Sequence, residues 1–103
     1  MSTGNRAATA QRITADAAVG TSGNAVLVEA VSLGAGTTNS NLALRNGTDA
    51  TGAILWQVNS LSAVAADTTS QTMVFPKPIV FPLGCFADIT GTNAVAYVAY
   101  EPA

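Results

Sequence analysis

The stretch from residue 70 to residue 100 constrains the fold of this chain more than any other. It carries SQTMVF, then PKPIVFP running into GCFADIT, then NAVAYVAY, three closely spaced segments dense in β-branched and aromatic residues. Met73 and Phe75 fall on one face of the first, with Thr72 and Val74 on the other. Pro76, Pro78 and Pro82 punctuate the next, so Ile79, Val80 and Phe81 are limited to a short or edge strand before a turn at Leu83 and Gly84. Phe86, Asp88 and Thr90 then alternate with Cys85, Ala87 and Ile89. In the last segment Val95, Tyr97 and Ala99 alternate with Ala94, Ala96, Val98 and Tyr100. The short turn at residues 91–93 between these two predicts a terminal β-hairpin.

The upstream sequence extends the same pattern. Residues 24–33 form an apolar strand between Gly23 and Gly34, with Val26, Val28 and Ala30 predicted on one face and Leu27, Glu29, Val31 and Leu33 on the other. With both faces apolar, this strand calls for a second sheet on one side and an arm or another subunit on the other. Glu29 is then expected at a sheet margin or beside a partner. Leu42 and Leu44 mark a half-buried strand over residues 41–46, and residues 46–52 form a polar loop. Over residues 53–59, Ile54, Trp56 and Val58 share a predicted face, with Trp56 as a core anchor. Residues 60–69 read either as an edge strand or as a loop with Leu61 and Val64 tucked inward.

Ahead of these strands, residues 1–23 hold only Ile13 and Val19 as large apolar residues, too few to bury a helix over residues 7–19. They predict an extended or flexible N-terminal arm, with the domain proper over residues 24–103. Seven or eight short strands without a βαβ rhythm predict an all-β fold, a small antiparallel β-sandwich for which jelly-roll connectivity is one winding. A small closed barrel is the structural alternative. At 103 residues, one core is expected, and self-association is an economical way to hide further apolar surface.

The chemistry is defined mainly by what the chain lacks. Charged residues are 10% of the sequence, against about 25% in an ordinary domain. Arg6, Arg12, Arg45 and Lys77 form no cluster that would neutralise several phosphates, and the net charge is −2, so direct nucleic-acid binding is not expected. There is no histidine, and Cys85 is the single cysteine, read as a small buried hydrophobe. No apolar run is long enough to span a bilayer as a helix, and residues 1–20 lack the apolar core of a signal peptide, so neither membrane insertion nor conventional secretion is expected. Gly34 and Gly36 make a lone G-x-G without the third glycine of a dinucleotide site. Among the carboxylates Asp16, Glu29, Asp49, Asp67, Asp88 and Glu101, only Glu29 and Asp88 are flanked by strand-like residues. They are the one pair to consider for acid and base chemistry. The loop around Asp49 is too sparse in ligands for a calcium motif. No catalytic, cofactor-binding or metal-binding residue is therefore assigned, and no cofactor is expected.

The sequence VFPKPIVFPLGCFADITGTNAVAYVAY resembles a pattern in small virion proteins of tailed bacteriophages. The features that carry it are an apolar strand at residues 78–81, a glycine turn at Gly84, an aromatic strand from Phe86 to Ile89, and a final alternating strand through Val95, Tyr97 and Tyr100. The low-charge Ala, Thr, Ser and Gly composition is similar too. The resemblance implies a noncatalytic capsid decoration or cement protein on the outer capsid surface of the virion. Its implied partners are the major capsid protein and copies of itself, most often as a trimer. The alternative is a tail, fibre or portal-associated β module that binds host-surface carbohydrate, with Trp56, Tyr97, Tyr100 and the loop at residues 46–52 as contacts. A small hydrolase would require Glu29 and Asp88 to converge in an accessible pocket.

Overall fold

The computed structural model describes residues 8–61 and 70–103. Its strands are β1 (Thr9–Ile13), β2 (Ala17–Val19), β3 (Val26–Gly34), β4 (Ser40–Asn46), β5 (Ala53–Ser60), β6 (Ser70–Phe81), β7 (Cys85–Thr90) and β8 (Val95–Pro102). They form two four-stranded antiparallel sheets, here called A (order β1-β8-β3-β6) and B (order β2-β7-β4-β5). The architecture is a β-sandwich, and the barrel alternative is set aside because neither sheet closes on itself. Between the sheets lie Ile13, Val19, Val26, Val28, Val31, Leu33, Leu42, Leu44, Phe81, Cys85, Ala87, Ala96 and Val98, all buried.

Two bulges account for the strand faces that simple alternation misassigns. In β3, Val28 is opposite Tyr100 of β8 while Ala30 is opposite Ala99, so Glu29 is an extra residue that switches the alternation. Val26, Val28, Val31 and Leu33 consequently all face the core. The expected two-faced apolar strand is thus a one-faced strand with a change of parity in the middle. Glu29 sits half-buried at this bulge, on a strand flanked by β8 and β6 rather than at a sheet margin. In β5, Trp56 is opposite Leu44 and Ile54 opposite Arg45, which leaves Leu55 as the extra residue. Ile54 therefore does not share the inward face of Trp56 and Val58, and it is 43% exposed.

β6 runs through its prolines as one strand, but its pairing with β3 does not. Val28 is opposite Ile79 and Ala30 opposite Val74, so residues 75–78 bow out against Glu29 alone. Pro76 and Pro78 have no N–H to give the ladder, which explains why the irregularity falls there.

The expected terminal hairpin is not formed. β7 belongs to sheet B and β8 to sheet A, so residues 91–94 carry the chain across the sandwich. Gly91 has φ 117° and packs against Asn39 and Ser40, where an added Cβ would come within 2.8 Å of the Ser40 Cβ. Among the described residues, β4 and β5 are the only consecutive strands paired within one sheet, across the polar loop at residues 47–52.

The segment expected as an arm supplies β1 and β2 from residue 9 onward. Its two large apolar residues, Ile13 and Val19, are the ones buried, in register with Ala96 of sheet A and Cys85 of sheet B respectively. Gln11 fastens the corner between these strands, donating from Nε2 to the Ala18 carbonyl and accepting from the Gly20 amide, each at 2.9 Å. Residues 1–7 of that arm lie outside the described residues, as do Val64 and Asp67. Leu61 is 66% exposed rather than tucked inward.

Candidate functional site

Glu29 and Asp88, the one carboxylate pair to consider for catalysis, are on different sheets. Asp88 is opposite Ala43 on β4, next to Arg45. The Arg45 Nε donates to Asp88 Oδ2 at 3.0 Å, and its Nη1 donates to the Gly52 carbonyl at 3.0 Å. One guanidinium therefore ties β4, β7 and the 47–52 loop together, and Asp88 serves as its counterion. Asp16 is also engaged structurally, its Oδ1 accepting the Ile89 amide at 2.8 Å.

The loop at residues 46–52 is similarly explained by its own hydrogen bonds. Asp49 Oδ1 accepts from the Thr51 amide at 2.9 Å and from the Thr51 hydroxyl, and these bonds hold the Asp49 carboxyl below its ordinary pKa. Asn46 Oδ1 accepts the Leu83 amide at 3.0 Å, and the Gly47 amide donates to the Gly84 carbonyl at 2.9 Å, so the loop leans on the β6–β7 turn. An Asx-type turn accounts for this Asn- and Asp-containing sequence without a ligand. Among the described residues, no group of three or more His, Cys, Asp or Glu side chains is placed to hold a metal ion.

The aromatic residues considered for carbohydrate stacking are not brought together. Trp56 is half-buried and meets Phe75 edge-to-face, with ring centroids 5.4 Å apart and planes at 85°, closing the flank where β5 and β6 approach each other. Tyr97 stands on the outer face of sheet A, 47% exposed. Tyr100 points the other way, and its ring lies so close to Gly20 that an added Cβ would come within 2.9 Å of Cε2.

The surface depressions are small. One of about 200 Å3 on the outer face of sheet A has a floor of Ala10, Ala30 and Ala99 between Ser32, Thr72 and Tyr97. A second, of about 130 Å3, lies between Tyr100, Pro102 and the β2–β3 loop, and a third, of about 310 Å3, is lined by Arg12, Thr14 and residues 93–95. Neither Glu29 nor Asp88 lines any of the three. Two of them fall below the roughly 300 Å3 at which ligand pockets usually begin, and the third brings only one charged group.

Cys85 is buried on the core face of β7, and desolvation pushes its thiol up to about 12. It is a core residue, as its apolar surroundings in the sequence predict.

Sequence reasoning did not single out the apolar side chains left on the outside of β5 and β6. Ile54 and Leu55 are each 43% exposed, Met73 45%, Val80 50% and Val74 70%. The signal was present in SQTMVF, which carries Val74 on the face opposite Met73 and Phe75. No protein-family model matches the chain, and no curated protein matches it in sequence. Among the described residues, no helix is long and apolar enough to cross a membrane.

Proposed function

We propose that the sandwich is a jelly roll and that the chain is a noncatalytic structural subunit of a virus particle, a capsid decoration or cement protein that associates with copies of itself. The observation that carries this proposal is the winding. With β1-β8-β3-β6 facing β2-β7-β4-β5, strands 1 and 8, 2 and 7, 3 and 6, and 4 and 5 all pair, as in an eight-stranded jelly roll of the kind used by viral capsid and lectin domains. Winding alone does not select a function. The choice rests on the likeness of residues 70–100 to phage virion proteins, and on carboxylates such as Asp88 and Asp16 that are engaged in holding strands together. Lectins share the winding, but Trp56, Tyr97 and Tyr100 occupy separate places, so a glycan would find no aromatic platform.

The test is to add the purified protein to capsids assembled without it. Saturable binding at a fixed copy number, with a rise in the temperature at which the capsids open, is the expected result. Capsids that stay bare at saturating protein would defeat the proposal, and binding on a glycan array would replace it with the carbohydrate alternative.

A further inference from the structure

Asn46 is the only asparagine in the sequence that precedes a glycine. The pairing matters because the backbone nitrogen after an asparagine can attack the side-chain amide, and a glycine, having no Cβ, leaves that nitrogen least hindered. In the attack the Gly47 nitrogen bonds to the Asn46 Cγ, the Cγ–Nδ2 bond breaks, and Nδ2 leaves as ammonia together with the Gly47 proton. The product is a five-membered succinimide. One water then opens the ring at either carbonyl. Opening at Cγ gives aspartate in an ordinary main chain. Opening at the backbone carbonyl gives isoaspartate, whose main chain runs through the former side chain and is one carbon longer. Water is the only co-reactant.

The fold holds both reacting groups. The Gly47 amide donates to the Gly84 carbonyl at 2.9 Å, and Asn46 Oδ1 accepts the Leu83 amide at 3.0 Å. The Asn46 backbone is also the last rung of two ladders, opposite Ala53 on β5 and Cys85 on β7. Ring closure requires the side chain to swing over its own peptide bond and the Gly47 nitrogen to let go of its acceptor, so both hydrogen bonds to the β6–β7 turn must break. Gly84 is buried in that turn with φ 100°, and its amide closes the turn on the Phe81 carbonyl at 3.1 Å. A Cβ added there would lie 3.1 Å from the Gly23 nitrogen and 3.3 Å from the Gly47 carbonyl oxygen, so this contact tolerates only glycine.

We infer that Asn46 is a modification site, converting spontaneously to aspartate and isoaspartate, and that the contacts from Leu83 and Gly84 gate the conversion. The reaction runs through the fraction of molecules in which the 47–52 loop has lifted off the β6–β7 turn, and its rate is reduced by that fraction. The two products differ in consequence. Aspartate at position 46 still offers the Leu83 amide an acceptor, whereas isoaspartate lengthens the main chain at the rung shared with Ala53 and Cys85 and keeps the loop from reseating.

The test is to age the full chain at mildly alkaline pH, in native buffer and in guanidinium chloride, and to map the products by mass spectrometry with fragmentation that separates aspartate from isoaspartate. Asn46 should be the first asparagine to convert in the unfolded chain, and it should convert at least tenfold more slowly in the folded one. Gly84→Ala should speed conversion in native buffer severalfold while leaving the circular dichroism spectrum unchanged. If that variant fails to fold, deuterium exchange at the Gly47 amide of the wild type decides the gate, and slow exchange is expected. Equal rates in the folded and unfolded chains, a Gly47 amide that exchanges as fast as an open one, or a folded Gly84→Ala that converts at the wild-type rate would each overturn the gate. Another asparagine converting first in guanidinium chloride would overturn the assignment of Asn46.

Discussion

Arg45 does more for this fold than its exposed position in the sequence suggests. Its guanidinium meets the Asp88 carboxylate and the Gly52 carbonyl at once, with both charged side chains about four-fifths buried. Asp88→Asn keeps an acceptor for Arg45 and should cost no more than about 1 kcal/mol, whereas Arg45→Met leaves two acceptors unserved and should cost roughly 1–3 kcal/mol. Urea denaturation of the two variants measures the difference; equal costs would mean that the Gly52 contact contributes nothing. Cys85 supplies a prediction in pH. Its thiol is raised by desolvation from an ordinary value of 9.0 to about 12. Above pH 9 the unfolded chain releases this proton while the folded chain keeps it, so stability falls as pH rises between about 9 and 12. Its contribution is fully present below pH 9. Cys85→Ala, compared with wild type by chemical denaturation at pH 8 and pH 10.5, should show a shallower alkaline loss; parallel losses would mean that the thiol is solvated.

The bulge in β3 makes a testable claim about that strand. Deleting Glu29 would leave Val26, Val28, Val31 and Leu33 in strict alternation, all still facing sheet B, so the variant should fold with the same sheet content. Deleting Ser32 instead turns Leu33 outward and should abolish cooperative unfolding, because a one-residue slip reverses every side chain beyond it. Far-ultraviolet circular dichroism with thermal melting distinguishes the two, and loss of folding in both would mean that the bulge itself is indispensable. The same feature marks how far the sequence was legible. In β4, β7 and β8 alternation was unbroken, and the inward sets Leu42 with Leu44, Cys85 with Ala87, and Ala96 with Val98 follow directly from it. In β3 and β5 one extra residue moved the remainder to the other face, and local sequence carries no clear mark of it beyond the 26, 28, 31, 33 spacing itself. Alternation also states which side of a strand is apolar without stating which sheet it joins. β7 and β8 were therefore each correctly divided into two faces and wrongly paired. For the candidate site, the buried character of Cys85 was readable from its apolar neighbours. The separation of Glu29 from Asp88 depends on sheet membership, which residue types do not encode, whereas Tyr97 and Tyr100 fall on opposite faces of β8, as the alternation over residues 94–100 already sets them.

At the scale of the whole molecule the chain is wound as a doubled ribbon. Strand pairs β4/β5, β3/β6, β2/β7 and β1/β8 succeed one another away from the 47–52 loop, and the β3/β8 and β4/β7 ladders join successive turns into two sheets. The outermost pair sets Thr9 against Tyr100, so nearly the whole chain lies between residues that share a ladder. Such non-local pairing predicts folding in milliseconds to seconds rather than microseconds. It also makes β1 the outer edge that covers β8. Removing residues 1–15 would take away the buried Ile13, worth roughly 1.5–3 kcal/mol, and would expose the length of β8 that pairs with β1. A chain beginning at Asp16 should therefore lose about 3–5 kcal/mol of stability in urea and show increased light scattering on concentration. A separable arm would give a different result, a truncated chain with the stability of the full one. The distinction bears on assembly, because an N-terminal segment fastened into sheet A from Thr9 to Ile13 cannot be lent across to a neighbouring subunit without opening its own sandwich. Any contact between copies then has to be made by surfaces already exposed.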